Sequence, residues 1–385
     1  MRAVAFIGLL ALAAGCASTD LPPVSDVDRF RLEQDEKRVW LMAWQETDEI
    51  DRSGTLYDDR ELENYLNGIT RKLQPPEVLR NIPFAVRIIR DPTLNAFAFP
   101  NGAIYVHSGL MAVMESEAQF AALVAHEMTH ATHRHAVKEL RNEKNKMAMA
   151  ATLQTVLGGH HGELSARASV AGYSRDLEAE ADAAGLALAV AAGYDPQDAV
   201  RLYDHLAEEV QEGGISEPFF YGTHPRIQDR VDSLAGLLAS RYPGKAGGRA
   251  NADLFFRRTA GLVLDNAGLD IRAGRFSRAQ RSLERFLRKC PPGDARPIAL
   301  LGDLYRKRGI PGDLELARTQ YRKAIETDPG CADAYRGLGL VFSRTGDAAG
   351  ARASFATYLS LSPQARDRAY IEEYLARQDR KGGQP

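Results

Sequence analysis

The C-terminal part of the chain repeats itself, and a repeat constrains architecture more tightly than any single motif. Leu300, Gly302, Tyr305, Gly309, Ala317, Tyr321, Ala324 and Pro329 align with Leu338, Gly339, Phe342, Gly346, Ala351, Phe355, Tyr358 and Pro363. The period is about 34 residues, with a small insertion at Ile310 to Asp313. A degenerate earlier copy shows Gly274, Ala279, Leu283, Phe286 and Pro291. A unit this short cannot bury its own apolar face and must stack on its neighbours. Residues 252–380 therefore read as an α-solenoid of about three helix pairs, with a capping helix near Ala369 to Arg377 and a disordered tail over 381–385.

Upstream the patterning is different. With 385 residues, 44% of them apolar and 26% charged, the chain is globular and long enough for two domains. The run of breakers from Tyr242 to Asn251 separates a first domain, 29–242, from the repeats, with 243–251 as linker. Helical spacing of Trp40 and Trp44, then Leu62, Tyr65, Leu66 and Ile69, predicts two helices, with both tryptophans in the core. Phe84 to Arg90, Asn95 to Phe99 and Ala103 to His107 predict a small sheet with a hairpin around Pro100-Asn101-Gly102. A long amphipathic helix is expected from Glu115 to about Leu140, and a core helix over Lys146 to Leu157. Helices over about 174–192 and 196–212, and one ending near Ser240, complete a mainly α fold.

Met1 to Cys16 carries one basic residue and an apolar run of about a dozen, which is the layout of a secretion signal and too short for a durable membrane span. Residues 16–28 then read as a tether. A formal net charge of −2 favours no nucleic-acid partner. In an exported protein Cys290 and Cys331 are permitted to form a disulfide.

The chemistry lies in His126-Glu127-Met128-Thr129-His130. Residues four apart on a helix share a face, so His126 and His130 can share one zinc ion. Glu127 cannot join them as a ligand but can reach a water on the metal and act as general base. A catalytic zinc needs a third protein ligand, and the later helix offers Glu178 and Asp182, again four apart. One of these suits the metal and the other suits a histidine's second nitrogen. The competing Glu180 points about 200° away from Glu178 around that helix. His133, His135, His160 and His161 are read as helix or loop residues.

These motifs resemble the HtpX, BepA and Oma type of gluzincin in peptidase family M48, relatives of the CAAX prenyl endopeptidases. The likeness rests on the HExxH segment, on Ser174-Arg175-x-x-Glu178-x-x-Ala181-Asp182, on the Asn95-Ala96-Phe97-Ala98 hairpin and on Thr223-His224-Pro225 with Arg230 downstream. It implies one zinc per chain held by His126, His130 and Glu178, catalysis by Glu127, and orientation by Asp182. It also implies that Asn95 to Ala98 form an edge strand that pairs with an extended peptide, and that His224 either stabilises an oxyanion or caps the metal. The C-terminal period resembles tetratricopeptide repeats. The segment Leu12-Ala13-Ala14-Gly15-Cys16 resembles a bacterial lipobox, departing from it at Ala13, which implies a lipidated Cys16 and a periplasmic protein anchored to the outer membrane. Together these resemblances imply a zinc endopeptidase acting on misfolded or misassembled envelope polypeptides. The alternative is a chaperone or scaffold of outer-membrane assembly machinery that works through its repeats and keeps a latent zinc site. A third possibility is that the repeats pack against the catalytic domain and restrict access to it.

Overall fold

The computed structural model describes residues 18–24, 31–144, 173–213, 227–244, 247–290 and 293–382. Cys16, His160, His161, His224 and the helix expected over 146–157 lie outside the described residues.

Helix α1 (Gln34–Arg52) opens on a reciprocal capping box between Glu33 and Glu36. It contacts the body through a narrow stripe of Glu36, Ala43 and Thr47. Trp40 packs partly on the core, but Trp44 is 53% exposed, contrary to the expectation from its spacing. It sits about 100° round from Ala43, off the buried stripe. Helix α2 (Arg60–Thr70) starts where the Asp59 side chain accepts the Leu62 amide at 2.9 Å, and it buries Leu62, Leu66 and Ile69. A short helix, α3 (Pro76–Asn81), leads into the sheet.

Strands β1 (Ala85–Ile89), β2 (Ala96–Ala98) and β3 (Ala103–His107) pair in the order β1-β3-β2. The hairpin expected around Pro100 joins β2 to β3 antiparallel, with Phe97 opposite Tyr105. The parallel pairing of β1 with β3 carries no local signal in the sequence. Strand β3, in the middle, is buried throughout, and β2 is an edge. Helix α4 (Ser108–Val113) follows directly.

Helix α5 (Glu117–Thr132) carries the histidines, and every one of its residues is buried. It ends earlier than its periodicity suggests. His133 and Arg134 form a turn, Arg134 with φ of 61°, and the chain is helical again over 135–144. The cause is tertiary: the Arg134 guanidinium is clamped by Glu36 of α1 at 2.8 and 2.7 Å, both residues being buried. An ion pair made 98 residues away outweighs the local preference to stay helical.

Helices α6 (Arg175–Ala191), α7 (Pro196–Gly213) and α8 (Ile227–Arg241) close the site, α6 lying along α5. The expected pairs follow as α9 (Ala252–Arg272) with α10 (Phe276–Lys289), α11 (Arg296–Arg308) with α12 (Asp313–Thr327), and α13 (Ala332–Thr345) with α14 (Ala348–Leu361). The single α15 (Arg368–Gly382) ends the described chain.

Two findings bear on the expected boundaries. The principal core runs unbroken from Leu62 into Phe255, Leu264, Leu283 and Leu304, so α9, α10 and the Leu301 and Leu304 face of α11 share the core of the first domain. Ser108 donates to Asn266 at 2.9 Å and Arg278 to Glu209 at 2.9 Å across that junction. Residues 18–24, within the stretch read as a tether, are docked. Leu21 and Val24 are buried, and the Val24 amide donates to the Thr132 carbonyl at 2.8 Å. Cys290 and Cys331 are free thiols. Among the described residues no helix is long and apolar enough to cross a membrane.

Candidate metal centre

Helices α5 and α6 meet through Gly185, whose missing side chain lets the two backbones touch at His126. That contact brings His126 and His130 opposite Glu178 and Asp182. His126 Nε2 and His130 Nε2 are 3.0 Å apart. Glu178 Oε1 lies 3.4 Å from His130 Nε2, and Glu178 Oε2 lies 3.6 Å from His126 Nε2. Donor atoms 2.0–2.1 Å from one tetrahedral ion are separated by about 3.3 Å, so these three edges describe one face of such a site. The three residues are buried, and one donor atom from each lies within 4.8 Å of the others.

The protonation pattern points the same way. His126 Nδ1 is 2.9 Å from Asp182 Oδ1. A proton on that nitrogen leaves the Nε2 lone pair facing the convergence point. Two converging lone pairs and a carboxylate, all removed from water, suit a cation. The charge count agrees. Glu127, Glu178, Asp182 and Arg230 are all buried, and three carboxylates against one guanidinium give a formal charge of −2, which a divalent ion neutralises. The donor set of two imidazoles and one carboxylate, with Glu127 beside it, fits zinc.

Around this triangle lies a shell only partly legible in the sequence. Arg230 of α8 donates to Asp182 through Nε at 3.0 Å and Nη2 at 2.5 Å, and to the Tyr203 hydroxyl at 2.7 Å. Its Nη1 reaches Glu178 at 3.4 Å, and its guanidinium sits 4.6 Å from the Tyr203 ring centre. Burial opposes ionisation of Asp182, but the charge of Arg230 and the hydrogen bond from His126 outweigh it and hold the carboxyl well below the usual range. Burial also raises the Tyr203 and Tyr173 phenols, and the surrounding carboxylates add to both. Tyr173 stacks on His130 with ring centres 4.0 Å apart and planes 13° from parallel. Neither tyrosine stands out in the sequence, because nothing local distinguishes them from core aromatics.

The sequence-derived set is thus brought together at His126, Glu127, His130, Glu178 and Asp182. Strand β2, with Ala96 buried and Phe97 and Ala98 half-buried, packs against α5. Asn95, just before it, is buried, and its carbonyl accepts the His107 amide at 2.9 Å. Among the described residues no strand pairs with the outer edge of β2.

Residues 58–238 match the model of peptidase family M48, and residues 300–366 match a tetratricopeptide repeat. A Vibrio cholerae protein provisionally named a beta-barrel assembly-enhancing protease is 26% identical over 283 residues, 70% of this chain and 57% of its own. The mitochondrial metalloendopeptidase OMA1 of Saccharomyces cerevisiae is 27% identical over 173 residues, 42% of this chain and 49% of its own. The beta-barrel assembly-enhancing protease of Escherichia coli is 26% identical over 236 residues, 56% of this chain and 46% of its own. This chain therefore spans about half the length of the curated relatives it matches. It carries an M48 peptidase domain followed by tetratricopeptide repeats.

Proposed function

We propose that this chain, with its M48 domain and its tetratricopeptide repeats, is a zinc-dependent endopeptidase that hydrolyses peptide bonds of unfolded or misassembled envelope proteins. The observation that carries the reading is the buried triangle of His126, His130 and Glu178 with a second acid, Glu127, on the helix that carries the two histidines. A scaffold has no physical need for a general base beside two imidazoles already aimed at one point. When bound, zinc supplies the Lewis acidity that makes water nucleophilic near neutral pH.

The roles of the side chains follow from their positions. Asp182 holds the His126 Nδ1 proton and so keeps Nε2 free to ligate. Arg230 holds Asp182 ionised and oriented through two donors. Glu127 takes a proton from the attacking water and returns it to the leaving nitrogen. The outer edge of β2 takes the substrate backbone in ladder hydrogen bonds, so Asn95 to Ala98 recognise an extended chain rather than a side chain. His224 would serve as oxyanion donor or as a cap on the metal, the two roles its Thr223-His224-Pro225 motif implies. Lipidated Cys16 places the enzyme at the outer membrane of the periplasm. The first repeat pair is built into the peptidase core, so the later pairs form an extension held close to the catalytic body that binds substrate or a protein of the assembly machinery.

The deciding experiment uses purified protein, an unfolded casein substrate and metal analysis. Glu127→Gln is expected to keep one zinc per chain and to lose about 10²–10⁴-fold in turnover. His224→Ala is expected to change turnover while keeping zinc. Unaltered cleavage by Glu127→Gln would overturn the assignment.

A further inference from the structure

His135 and Glu180, which sequence spacing gives no role, meet beside the second metal ligand. In an unbroken helix His135 would lie about 140° round from His130 and face elsewhere. The left-handed Arg134 turn brings it back, so that His135 Nδ1 is 2.9 Å from His130 Nδ1. The His135 side chain is fully buried. On its far side Glu180 Oε2 lies 3.3 Å from His135 Nε2, a charge contact outside hydrogen-bond geometry. Glu180 is itself held between His133 Nε2 and Lys138 Nζ, each at 3.7 Å.

We infer that His135 and Glu180 form a positioning relay for His130, the counterpart of what Asp182 does for His126. The inference rests on the reading of His126, His130 and Glu178 as the metal ligands. To ligate through Nε2, His130 carries its proton on Nδ1, and the atom 2.9 Å away must then accept it. His135 Nδ1 accepts only when the His135 proton is on Nε2, and the negative charge of Glu180 3.3 Å from that nitrogen favours this tautomer electrostatically. One acid thus sets two tautomers in series and leaves the His130 lone pair aimed at the metal. Neither residue touches the metal or the reacting atoms. The cost of building the relay is the left-handed Arg134, which the buried Glu36 pair holds in place.

The test is zinc affinity by chelator competition on the full chain, alongside far-UV circular dichroism and melting of the metal-free protein. His135→Ala is expected to weaken zinc binding about 10–100-fold, and His135→Gln, whose side-chain oxygen still accepts, to restore most of that. Glu180→Gln changes a partly exposed side chain without changing its size, and is expected to weaken binding several-fold with an unchanged metal-free melt. Wild-type affinity in all three variants overturns the relay. So does equal loss in His135→Ala and His135→Gln with a normal Glu180→Gln, since that pattern reports packing alone. Failure of the unsubstituted protein to bind zinc, with no further change in His130→Ala, would instead overturn the metal centre itself.

Discussion

Gly185→Ala separates local from tertiary reasoning most sharply, because the two give opposite signs. Gly185 lies inside α6, and by helix propensity alone alanine there should stabilise the protein by about 1 kcal/mol. Its surroundings forbid that gain. A Cβ at Gly185 would lie 2.8 Å from the His126 amide nitrogen, 2.9 Å from His126 Cα and 3.1 Å from the Ala125 carbonyl carbon. Relaxed contacts need about 3.5 Å or more, so α6 must retreat from α5 by roughly 0.5–1 Å. Nothing flexible absorbs the strain, since the obstacles are backbone atoms of a fully buried 16-residue helix. Overpacking of this kind costs about 1–3 kcal/mol, which outweighs the propensity gain over most of that range. The larger effect falls on the metal. Asp182 and Glu178 lie one and two turns away on the same helix, and metal–ligand distances tolerate only about 0.2 Å. The expected outcome is a melting temperature lower by a few degrees and a zinc affinity lower by at least about tenfold. Differential scanning calorimetry with chelator competition measures both. A variant that melts higher than the parent and binds zinc equally well would refute the argument that this glycine sets the spacing of the site.

The repeats allow a second test of close packing. The Tyr321 ring is fully buried and its hydroxyl is fixed by Asp303 at 2.8 Å and Arg306 at 3.0 Å, while a Cβ at Gly337 would fall on the ring itself. Gly337→Ala should therefore destabilise the solenoid by about 1–3 kcal/mol, read as an earlier urea transition, and leave zinc affinity unchanged. A pH test concerns Asp270, buried where α9 meets α10. Burial pushes its carboxyl up to about 6 from an ordinary 3.8, even though Arg275 donates to it at 2.7 Å. A carboxyl raised in the folded state contributes stability below its unfolded value and loses it as pH rises through the folded one. Relative to Asp270→Asn, the parent should thus lose up to about 3 kcal/mol between pH 4 and 6.5. Parallel pH–melting curves for the two proteins would refute this.

What was legible in the sequence follows from short-range geometry. His126 with His130, and Glu178 with Asp182, are each four residues apart, and any helix puts such pairs on one face whatever surrounds it. The 34-residue period and the hairpin at Pro100 are legible for the same reason, since each is settled by neighbours along the chain. Trp44, the docked residues 18–24 and the early end of α5 were not. Each depends on which surface a segment meets, and that is set by partners far away, as Glu36 sets the turn at Arg134. The shared core of the peptidase body and the first repeat pair has the same origin, because a loop of breakers marks a change of direction and says nothing of whether the apolar faces on either side join. By itself the sequence determined the chemistry on offer: two imidazoles, a base and a later pair of acids, followed by a solenoid. Only the tertiary structure decided the distances between α5 and α6, the clamp of Arg230 and the turn that brings His135 under His130. Those are contacts between elements, and local spacing carries no record of them.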